Sequence, residues 1–391
     1  MADTNRDVSL NVQPVRLIDG DDQRLRPNPG MALCLSGGGY RAMLFHVGAI
    51  WRLNQLGLLR SLKRISSVSG GSITAGVLGM VWKECHFDSN GTANNLEELF
   101  VKPLRRLASI TIDAGSILEG MLIPNKSIAD EVAAAYQKHL FGDTTLRDLP
   151  SDAEGPRFVI NATNVQTRVL WRFSKPFMGD YRVGLIPNTD VKLAVAVGAS
   201  SAFPPFLSPA VLKLRPQDFD MATKGDLHIE PYISTAVLTD GGVYDNLGLE
   251  TAWKNYETIL VSDGSGVADD EPEPKRDWLQ HIYRVLNLLD DQVVSLRKRQ
   301  VIASYQMGLR KGAYWGIRTD IENYQLPDAL QCPHDRTLLL ANTPTRLTKL
   351  DDDLQQRLIN WGFAVCDAAV RKHLQGTFSK PSEFPDPSSG V

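Results

Sequence analysis

The sequence predicts an α/β protein in three layers, in which helices flank a mainly parallel central sheet and a helical extension follows at the C-terminal end. A pattern of strand, glycine turn and helix occurs twice between residues 31 and 82, which is typical of a parallel α/β sheet. The 391 residues are 43% hydrophobic and 22% charged, an ordinary globular composition. Global disorder and fibrous structure are therefore excluded.

The first of these units begins with residues 31–36 (MALCLS), an apolar run that ends at three glycines. A buried strand entering a tight turn has this form. Apolar side chains between residues 41 and 59 then recur with the spacing of an amphipathic helix, which we expect to end near Gly57. The second unit repeats the pattern, with a strand at residues 64–68 and a helix at 72–82.

Further elements follow along the chain. Residues 157–174 alternate around a polar centre and predict a hairpin, whereas the Ala/Val-rich residues 190–200 predict a helix that prolines end. Strands are expected at residues 232–238 and 258–261, each running into an Asp-Gly pair. Helical periodicity extends from residue 278 to about residue 309 and returns at 348–374.

These elements divide the chain into four predicted parts. An irregular leader (1–30) precedes an α/β core (31–266), and a mainly helical part (267–375) packs on that core. The Pro/Ser-rich end, residues 376–391, is expected to be flexible.

Charge and cysteine usage exclude several functional classes. Forty-two basic and 45 acidic residues give a net charge of −3, so composition offers no case for a nucleic-acid-binding protein. The four cysteines lie far apart without a CxxC pair, which indicates neither a zinc site nor a disulfide framework. The N-terminus lacks the pattern of a secretory signal, and the two long uncharged stretches (65–82 and 193–212) fit a membrane span poorly. A cytoplasmic protein is expected.

Gly37, Gly38 and Gly39 stand between a predicted strand and a predicted helix and allow two interpretations. The pattern G-x-G-x-x-A is that of a dinucleotide-binding turn, but such a turn needs an acidic residue about 20 positions further on. No acidic residue occurs between Gln23 and Lys83. Alternatively, glycine N–H groups at a helix N-terminus form a positive concavity that stabilises an oxyanion during acyl transfer.

An oxyanion site needs a nucleophile, and two serines follow the second predicted strand. A serine on a sharp strand-to-helix turn has small residues two positions before and two positions after it. For Ser72 these are a glycine and Thr74, and for Ser69 they are a serine and a glycine, so the spacing favours Ser72. A third interpretation is that either serine only caps the following helix.

A serine hydroxyl is a weak nucleophile and needs a base within hydrogen-bond reach. Asp240 follows a predicted strand and precedes two glycines, and a buried carboxylate with a raised pKa can act as that base. Asp-Gly is also a common turn pair, and Asp245 is a rival base in the same segment. His46, on the helix after the glycines, is expected to be structural, and no later histidine lies in a Gly-rich context.

Four segments, in this order along the chain, resemble the sequence blocks of the patatin-like phospholipases. They are residues 36–42 (SGGGYRA), 68–72 (VSGGS), 199–205 (ASSAFPP) and 240–246 (DGGVYDN), and the resemblance spans about residues 31–250.

The family pattern joins a Gly-rich oxyanion loop with a following arginine, a G-x-S-x-G nucleophile elbow and a D-G-G/A block whose aspartate completes a Ser–Asp dyad. The resemblance implies that Ser72 is the nucleophile, Asp240 its base, and the glycine loop the oxyanion hole, with Arg41 beside it. Thr74 stands where the elbow has its closing glycine, which is a departure from the pattern.

The resemblance also implies a lipid acyl hydrolase of the phospholipase A type, acting on phospholipids or lysophospholipids at a membrane surface without metal or cofactor. Residues 110–123 (ITIDAGSILEGMLI) are then expected to form a mobile cap over an acyl-binding groove, or else an ordinary buried helix. The alternative function is a catalytically silent or trigger-gated protein that keeps the fold and binds lipid. A nucleotide-binding protein is the weakest interpretation, because the acidic residue is missing.

Overall fold

A computed structural model describes residues 27–112, 127–267 and 270–391 of the protein. Its centre is a sheet of ten strands. These are β1 (Asn28–Leu35), β2 (Leu62–Ser67), β3 (Arg157–Asn164), β4 (Val169–Phe173), β5 (Phe177–Asp180), β6 (Gly184–Pro187), β7 (Ala210–Lys213), β8 (Thr235–Asp240), β9 (Tyr256–Asp263) and β10 (Lys311–Gly316).

The strand order is β10-β9-β1-β2-β3-β4-β5-β6, with β8 paired to β3 and β7 paired to β8. The five strands from β10 to β3 run parallel, and the remaining pairs are antiparallel. The prediction of a mainly parallel central sheet is thus confirmed, and so is the hairpin, which is formed by β3 and β4.

Strand β3 changes partner along its length, and this change positions the site. Its first half pairs in parallel with β2, up to Ser67 opposite Ile160. Beyond the end of β2, β3 pairs instead with the antiparallel strand β8, with Ala162 opposite Asp240. The C-terminal ends of β2 and β8 therefore meet on the same side of β3.

Helices flank this sheet. They are α1 (Gly39–Gln55), α2 (Gly70–Val81), α3 (Lys102–Ala108), α4 (Ile128–Tyr136), α5 (Leu193–Ser200), α6 (Gly242–Asp245), α7 (Glu250–Trp253), α8 (Trp278–Gln306), α9 (His334–Ala341) and α10 (Asp352–His373). The helices expected from apolar periodicity are all present, although the first begins at the glycine run itself.

Helices α1 and α10 pack very closely. A Cβ atom at Gly48 would lie 1.9 Å from the carbonyl oxygen of Ile359, and a Cβ atom at Gly362 would lie 1.9 Å from that of Phe45. Glycine at both positions lets the two backbones touch. Arg52 of α1 and Asp367 of α10 form a buried ion pair at 2.8 Å, so the helix pair is fixed by charge as well as by packing.

The C-terminal third of the chain is part of the same body as the predicted core. Strand β10 extends the central sheet beside β9, so the sheet shows no break at the expected boundary after residue 266. The end of the chain lies against α10, where the Asn360 side-chain N–H group donates to the carbonyl oxygens of Asp386 and Gly390 at 2.8 and 2.6 Å. These two hydrogen bonds join the Pro/Ser-rich end to the folded body.

Helix α8 differs from the other long helices because its N-terminal half is exposed. Trp278 is 76% exposed and several leucines and an isoleucine of the first three turns are also exposed, whereas only Val301 and Ser304 are buried. The ring of Tyr283 lies 6.0 Å from that of Phe206. Across the three described ranges, no helix is both long enough and apolar enough to span a bilayer.

Two predicted segments lie wholly or largely outside the described residues. They are the leader, of which residues 1–26 fall outside, and the expected cap, of which residues 113–123 fall outside. The first strand begins at Asn28, three residues earlier than the apolar run suggested.

Candidate active site

Ser69 occupies a sharp turn between β2 and α2. Its backbone has φ 49° and ψ −118°, a region that residues other than glycine rarely adopt. Ser69 is the N-cap residue of α2, yet its side chain makes no capping hydrogen bond. The hydroxyl group is half-buried, and because it is not used as a cap, it is free for another partner.

The two glycines that follow Ser69 allow this turn to press against the glycine loop. A Cβ atom at Gly70 would lie 2.3 Å from the carbonyl oxygen of Gly39, and one at Gly71 would lie 2.5 Å from that of Leu35. Neither position has room for a side chain. The crowding expected of a nucleophile elbow is therefore present around Ser69.

Asp240 ends strand β8 and is 2% exposed. Its Oδ1 atom accepts the Gly242 N–H group at 2.7 Å. Burial raises the pKa of Asp240 to about 7, against the lowering effect of the Gly242 N–H group and of the nearby Ser69 side chain. The charge of Asp290, on α8, raises the pKa further.

Ser72 lies in the first turn of α2 and is completely buried. Its hydroxyl oxygen is 2.9 Å from that of Ser200 and 3.0 Å from that of Ser67. Among the described residues these are its only side-chain partners, so the structure does not bring Ser72 to Asp240. The strained backbone belongs to Ser69 and not to Ser72, a difference that small neighbours at two positions in the sequence could not show.

Thr74 is part of the same helix. Its hydroxyl group donates to the carbonyl oxygens of Met43 and Gly70 at 3.1 and 3.3 Å, which ties α2 to α1. Thr74 thus lies inside α2 and contacts the residue that follows Ser69.

The glycine loop supplies hydrogen-bond donors beside Ser69. Gly38 and Gly39 have φ angles of 138° and 61°, which only glycine adopts readily. No described residue accepts a hydrogen bond from the N–H group of Gly38 or Gly39, whereas that of Gly37 donates to the Asn246 carbonyl at 3.0 Å. Two of the three expected donors are therefore free, and both lie at the positive end of α1.

Arg41 is buried behind this loop. Its Nε atom donates to the Gly264 carbonyl at 3.2 Å, and its two terminal nitrogens donate to the Thr343 carbonyl and the Thr345 hydroxyl group. Burial lowers the pKa of Arg41 to about 10, so the side chain stays charged at neutral pH. All three side-chain nitrogens of Arg41 therefore donate to the protein, which joins the glycine loop to the segments at Gly264 and at residues 343–345.

His46 also supports the loop. Its Nε2 atom lies 3.0 Å from the Ser36 carbonyl oxygen and its Nδ1 atom 2.8 Å from the Ser262 hydroxyl group. Burial lowers the pKa of His46 to about 4, which keeps the ring neutral. This agrees with a structural role.

The rival base, Asp245, has other partners. Its Oδ2 atom accepts the Glu250 N–H group at 2.6 Å, and burial raises its pKa. In the part of the chain that the structure describes, no hydrogen bond joins Asp245 to either serine.

Asn246 is a site residue that the sequence did not reveal. A Cβ atom at Gly37 or at Gly242 would lie 2.3 or 2.8 Å from its Oδ1 atom, so the amide fills the space between the glycine loop and the segment after Asp240. An asparagine after Asp-Gly-Gly resembles ordinary turn chemistry, and no signal in the sequence separates the two roles.

Residues 33–253 match the family model of the patatin-like phospholipases. The chain belongs to this family. The resemblance drawn from the four sequence blocks is confirmed, and all four blocks of this patatin-like chain lie within the matched residues. No group of three or more His, Cys, Asp or Glu side chains in the described ranges is arranged to hold a metal ion.

Solved structures that resemble the patatin-like chain include human GIVD cytosolic phospholipase A2 in complex with methyl gamma-linolenyl fluorophosphonate. The identity is 13% and the TM-score 0.49, over 87% of this chain and 57% of the human chain. VipD from Legionella pneumophila has 14% identity and a TM-score of 0.35, over 88% of this chain and 67% of that chain. The chain thus spans little more than half the length of the human enzyme. No curated protein matches its sequence.

Proposed function

We propose that this patatin-like chain is a serine acyl hydrolase that cleaves ester bonds of phospholipids or lysophospholipids, with Ser69 as nucleophile and Asp240 as base. The observation that carries the proposal is the strained turn that holds the half-buried Ser69 beside the buried Asp240 carboxylate, whose pKa the Ser69 side chain lowers. A base with a pKa of about 7 is ionised for a substantial fraction of the time at neutral pH and still attracts a proton.

In the acylation step, the Ser69 hydroxyl oxygen attacks the carbonyl carbon of the ester while its proton passes to Asp240. The carbonyl oxygen becomes an oxyanion, which the free N–H groups of Gly38 and Gly39 are placed to stabilise. The N–H group of Gly70, which directly follows the nucleophile, is a third donor of this kind. The tetrahedral intermediate collapses, and the leaving alcohol takes the proton from Asp240.

In the deacylation step, Asp240 accepts a proton from water as the water oxygen attacks the acyl-serine. The same N–H groups stabilise the second oxyanion. Ser69 leaves, recovers the proton from Asp240, and a fatty acid is released. The residues return to their starting states, so the cycle consumes only ester and water.

The lipid character of the substrate follows from the family and is supported by exposed apolar residues close to the site in sequence. Val243, three residues after Asp240, is 46% exposed, and Phe206, in the segment after α5, is 57% exposed. Such side chains suit acyl chains and transient contact with a membrane surface.

The test combines two assays on the full chain, without added metal or cofactor. A fluorophosphonate probe detects an activated serine, and mass spectrometry detects fatty acid and lysolipid released from mixed phospholipid vesicles. We expect Ser69→Ala and Asp240→Asn to abolish both signals, whereas Ser72→Ala keeps labelling.

If Ser72→Ala lost labelling and Ser69→Ala kept it, the nucleophile would be Ser72 and not Ser69. If the wild-type protein neither reacts with the probe nor releases fatty acid, the hydrolase proposal is wrong. The chain would then be a catalytically silent or trigger-gated member of the family.

A further inference from the structure

Three serine hydroxyl groups form a continuous buried chain beneath the turn at Ser69. Ser67 ends β2, Ser72 lies in α2 and Ser200 ends α5, and all three are completely buried. Their oxygens are 3.0 Å apart from Ser67 to Ser72 and 2.9 Å apart from Ser72 to Ser200. The chain ends at two backbone groups, because the Ser200 oxygen lies 3.0 Å from the Ser69 nitrogen and 2.6 Å from the Asn161 carbonyl oxygen.

The chemistry of these end groups fixes the direction of the hydrogen bonds made by Ser200. The Ser69 N–H group can only donate, and the Asn161 carbonyl can only accept. Ser200 has a single hydroxyl hydrogen, so that hydrogen goes to Asn161 and the Ser200 oxygen accepts from both Ser69 and Ser72. Ser72 therefore donates to Ser200 and can accept from Ser67, whose hydroxyl group also lies 3.4 Å from the Val159 carbonyl oxygen.

The segment that contains Ser200 also holds the proposed base. The Asp240 N–H group donates to the Ala202 carbonyl at 3.0 Å, and the Gly241 N–H group donates to the Ser200 carbonyl at 3.4 Å. The end of α5 thus contacts the backbone of Ser69 on one side and the backbone of Asp240 on the other. A single short segment links the two residues of the dyad.

We propose that Ser200 is a positioning residue, which holds the strained Ser69 backbone at the correct distance from Asp240 and is itself oriented by Ser72. The proposal rests on the proposed function of Ser69 and Asp240. A positive φ angle at a serine persists only when its surroundings impose it, and the Ser200 hydroxyl oxygen accepts the N–H group of that same residue. Without it, the nucleophile relaxes away from its base.

The test compares Ser200→Ala with Ser201→Ala. Ser201 is the adjacent serine, is also buried, and donates its hydroxyl hydrogen to the Val197 carbonyl of its own helix at 2.9 Å. Both substitutions remove one buried hydroxyl group, but only Ser200→Ala removes a hydrogen bond to Ser69. Ser200→Thr keeps the hydroxyl group and serves as the rescue variant.

We expect Ser200→Ala to lower kcat and the rate of fluorophosphonate labelling on the order of 10²-fold, since small displacements of a nucleophile have effects of this size. KM should change little, because no substrate contact is lost. Ser201→Ala should keep kcat while its melting temperature falls about as far as that of Ser200→Ala, and Ser200→Thr should recover most of kcat. Ser72→Ala should lower kcat by a smaller factor.

Equal kcat in Ser200→Ala and wild type would overturn the positioning role, and so would parallel losses in Ser200→Ala and Ser201→Ala. Failure of the underlying function looks different: wild type would then show no labelling, or Ser69→Ala would still hydrolyse lipid. A wild type that is active, a Ser69→Ala variant that is inactive and a Ser200→Ala variant that is fully active would reject the positioning role alone.

Discussion

In the proposed mechanism Asp240 must be ionised to accept a proton from Ser69, and burial raises its pKa to about 7. The value of kcat/KM should therefore rise with pH up to about 7 and level off above it, because the ionised fraction of Asp240 rises in the same range. A rate measured from pH 5 to 9 on a soluble ester substrate gives this profile directly. A flat profile across this range would show that Asp240 is not the base.

Asp290 offers a way to move this profile without touching the dyad. Its negative charge raises the pKa of Asp240, and its own pKa is raised to about 7 by burial and by the charges of Asp291 and Asp263. Asp290→Asn removes the negative charge, so the rise in kcat/KM should shift to lower pH. The shift is measured on the same pH series, and a rise that stays in place would show that the two carboxyl groups are not coupled.

Helices α1 and α10 are held by a buried ionic network. Asp367 accepts hydrogen bonds from Arg52 at 2.8 and 2.9 Å and from Arg371 at 2.9 Å, and Arg371 also contacts Asp328. Removing one partner of a buried pair leaves uncompensated charge in the interior. The network therefore fixes α10 to α1, the helix that follows the glycine loop.

Asp367→Ala should lower the free energy of unfolding by about 3–5 kcal/mol, because the buried Arg52 loses its carboxylate and Arg371 keeps only Asp328. The matched control is Asp353→Ala on the same helix, whose ion pair with Arg357 is largely exposed and should contribute at most about 1 kcal/mol. Urea denaturation of both variants measures the difference. Equal stability of the two variants would contradict the role of the buried network.

At the scale of the whole molecule, residues 33–253, which match the family model, pack against residues that follow them in the chain. The Tyr40 N–H group donates to the Arg346 carbonyl at 3.0 Å, and a Cβ atom at Gly39 would lie 2.5 Å from that same oxygen. Arg41 holds the backbone at Thr343. The glycine loop is thus covered by a segment almost 100 residues beyond the end of the family match.

A chain that ends at residue 266 should therefore be insoluble or unfolded. This truncation exposes the side of α1 that packs against α10, and it makes β9 an edge strand because β10 is missing. A chain that ends at residue 375 keeps both elements, loses the tail contacts with Asn360 and Arg52, and serves as the control. Soluble yield and fluorophosphonate labelling are compared with those of the full chain. Labelling of the shorter chain at the wild-type rate would show that the covering segment is dispensable.

Much of this architecture could be predicted from the sequence, and the exceptions have physical causes. The strand–glycine–helix units and the long helices have strong periodicity, so they were predictable. Strand β10 was not, because Lys311–Gly316 (KGAYWG) is short and contains glycines at both ends of its apolar part. Strands β5 to β7 have four residues each, too few for a periodic pattern.

The candidate site, like the fold, could be predicted from the sequence only in part. Asp240 and the glycine loop could be located from their neighbours in the sequence. The choice between Ser69 and Ser72 could not be made in that way, because it depends on a backbone angle and on the hydroxyl group of Ser200, which is 131 residues away from Ser69. Contacts of such long range leave no trace in local spacing.

The exposed start of α8 also gives the protein an optical property. Of its seven tryptophans, only Trp278 is exposed, and the others are buried or half-buried. The red-shifted part of the intrinsic emission should therefore come from this one indole, and a quencher dissolved in water should remove it first. Any lipid or protein that covers the start of α8 will shift that emission to shorter wavelength, so unlabelled wild-type protein reports the event by its own fluorescence.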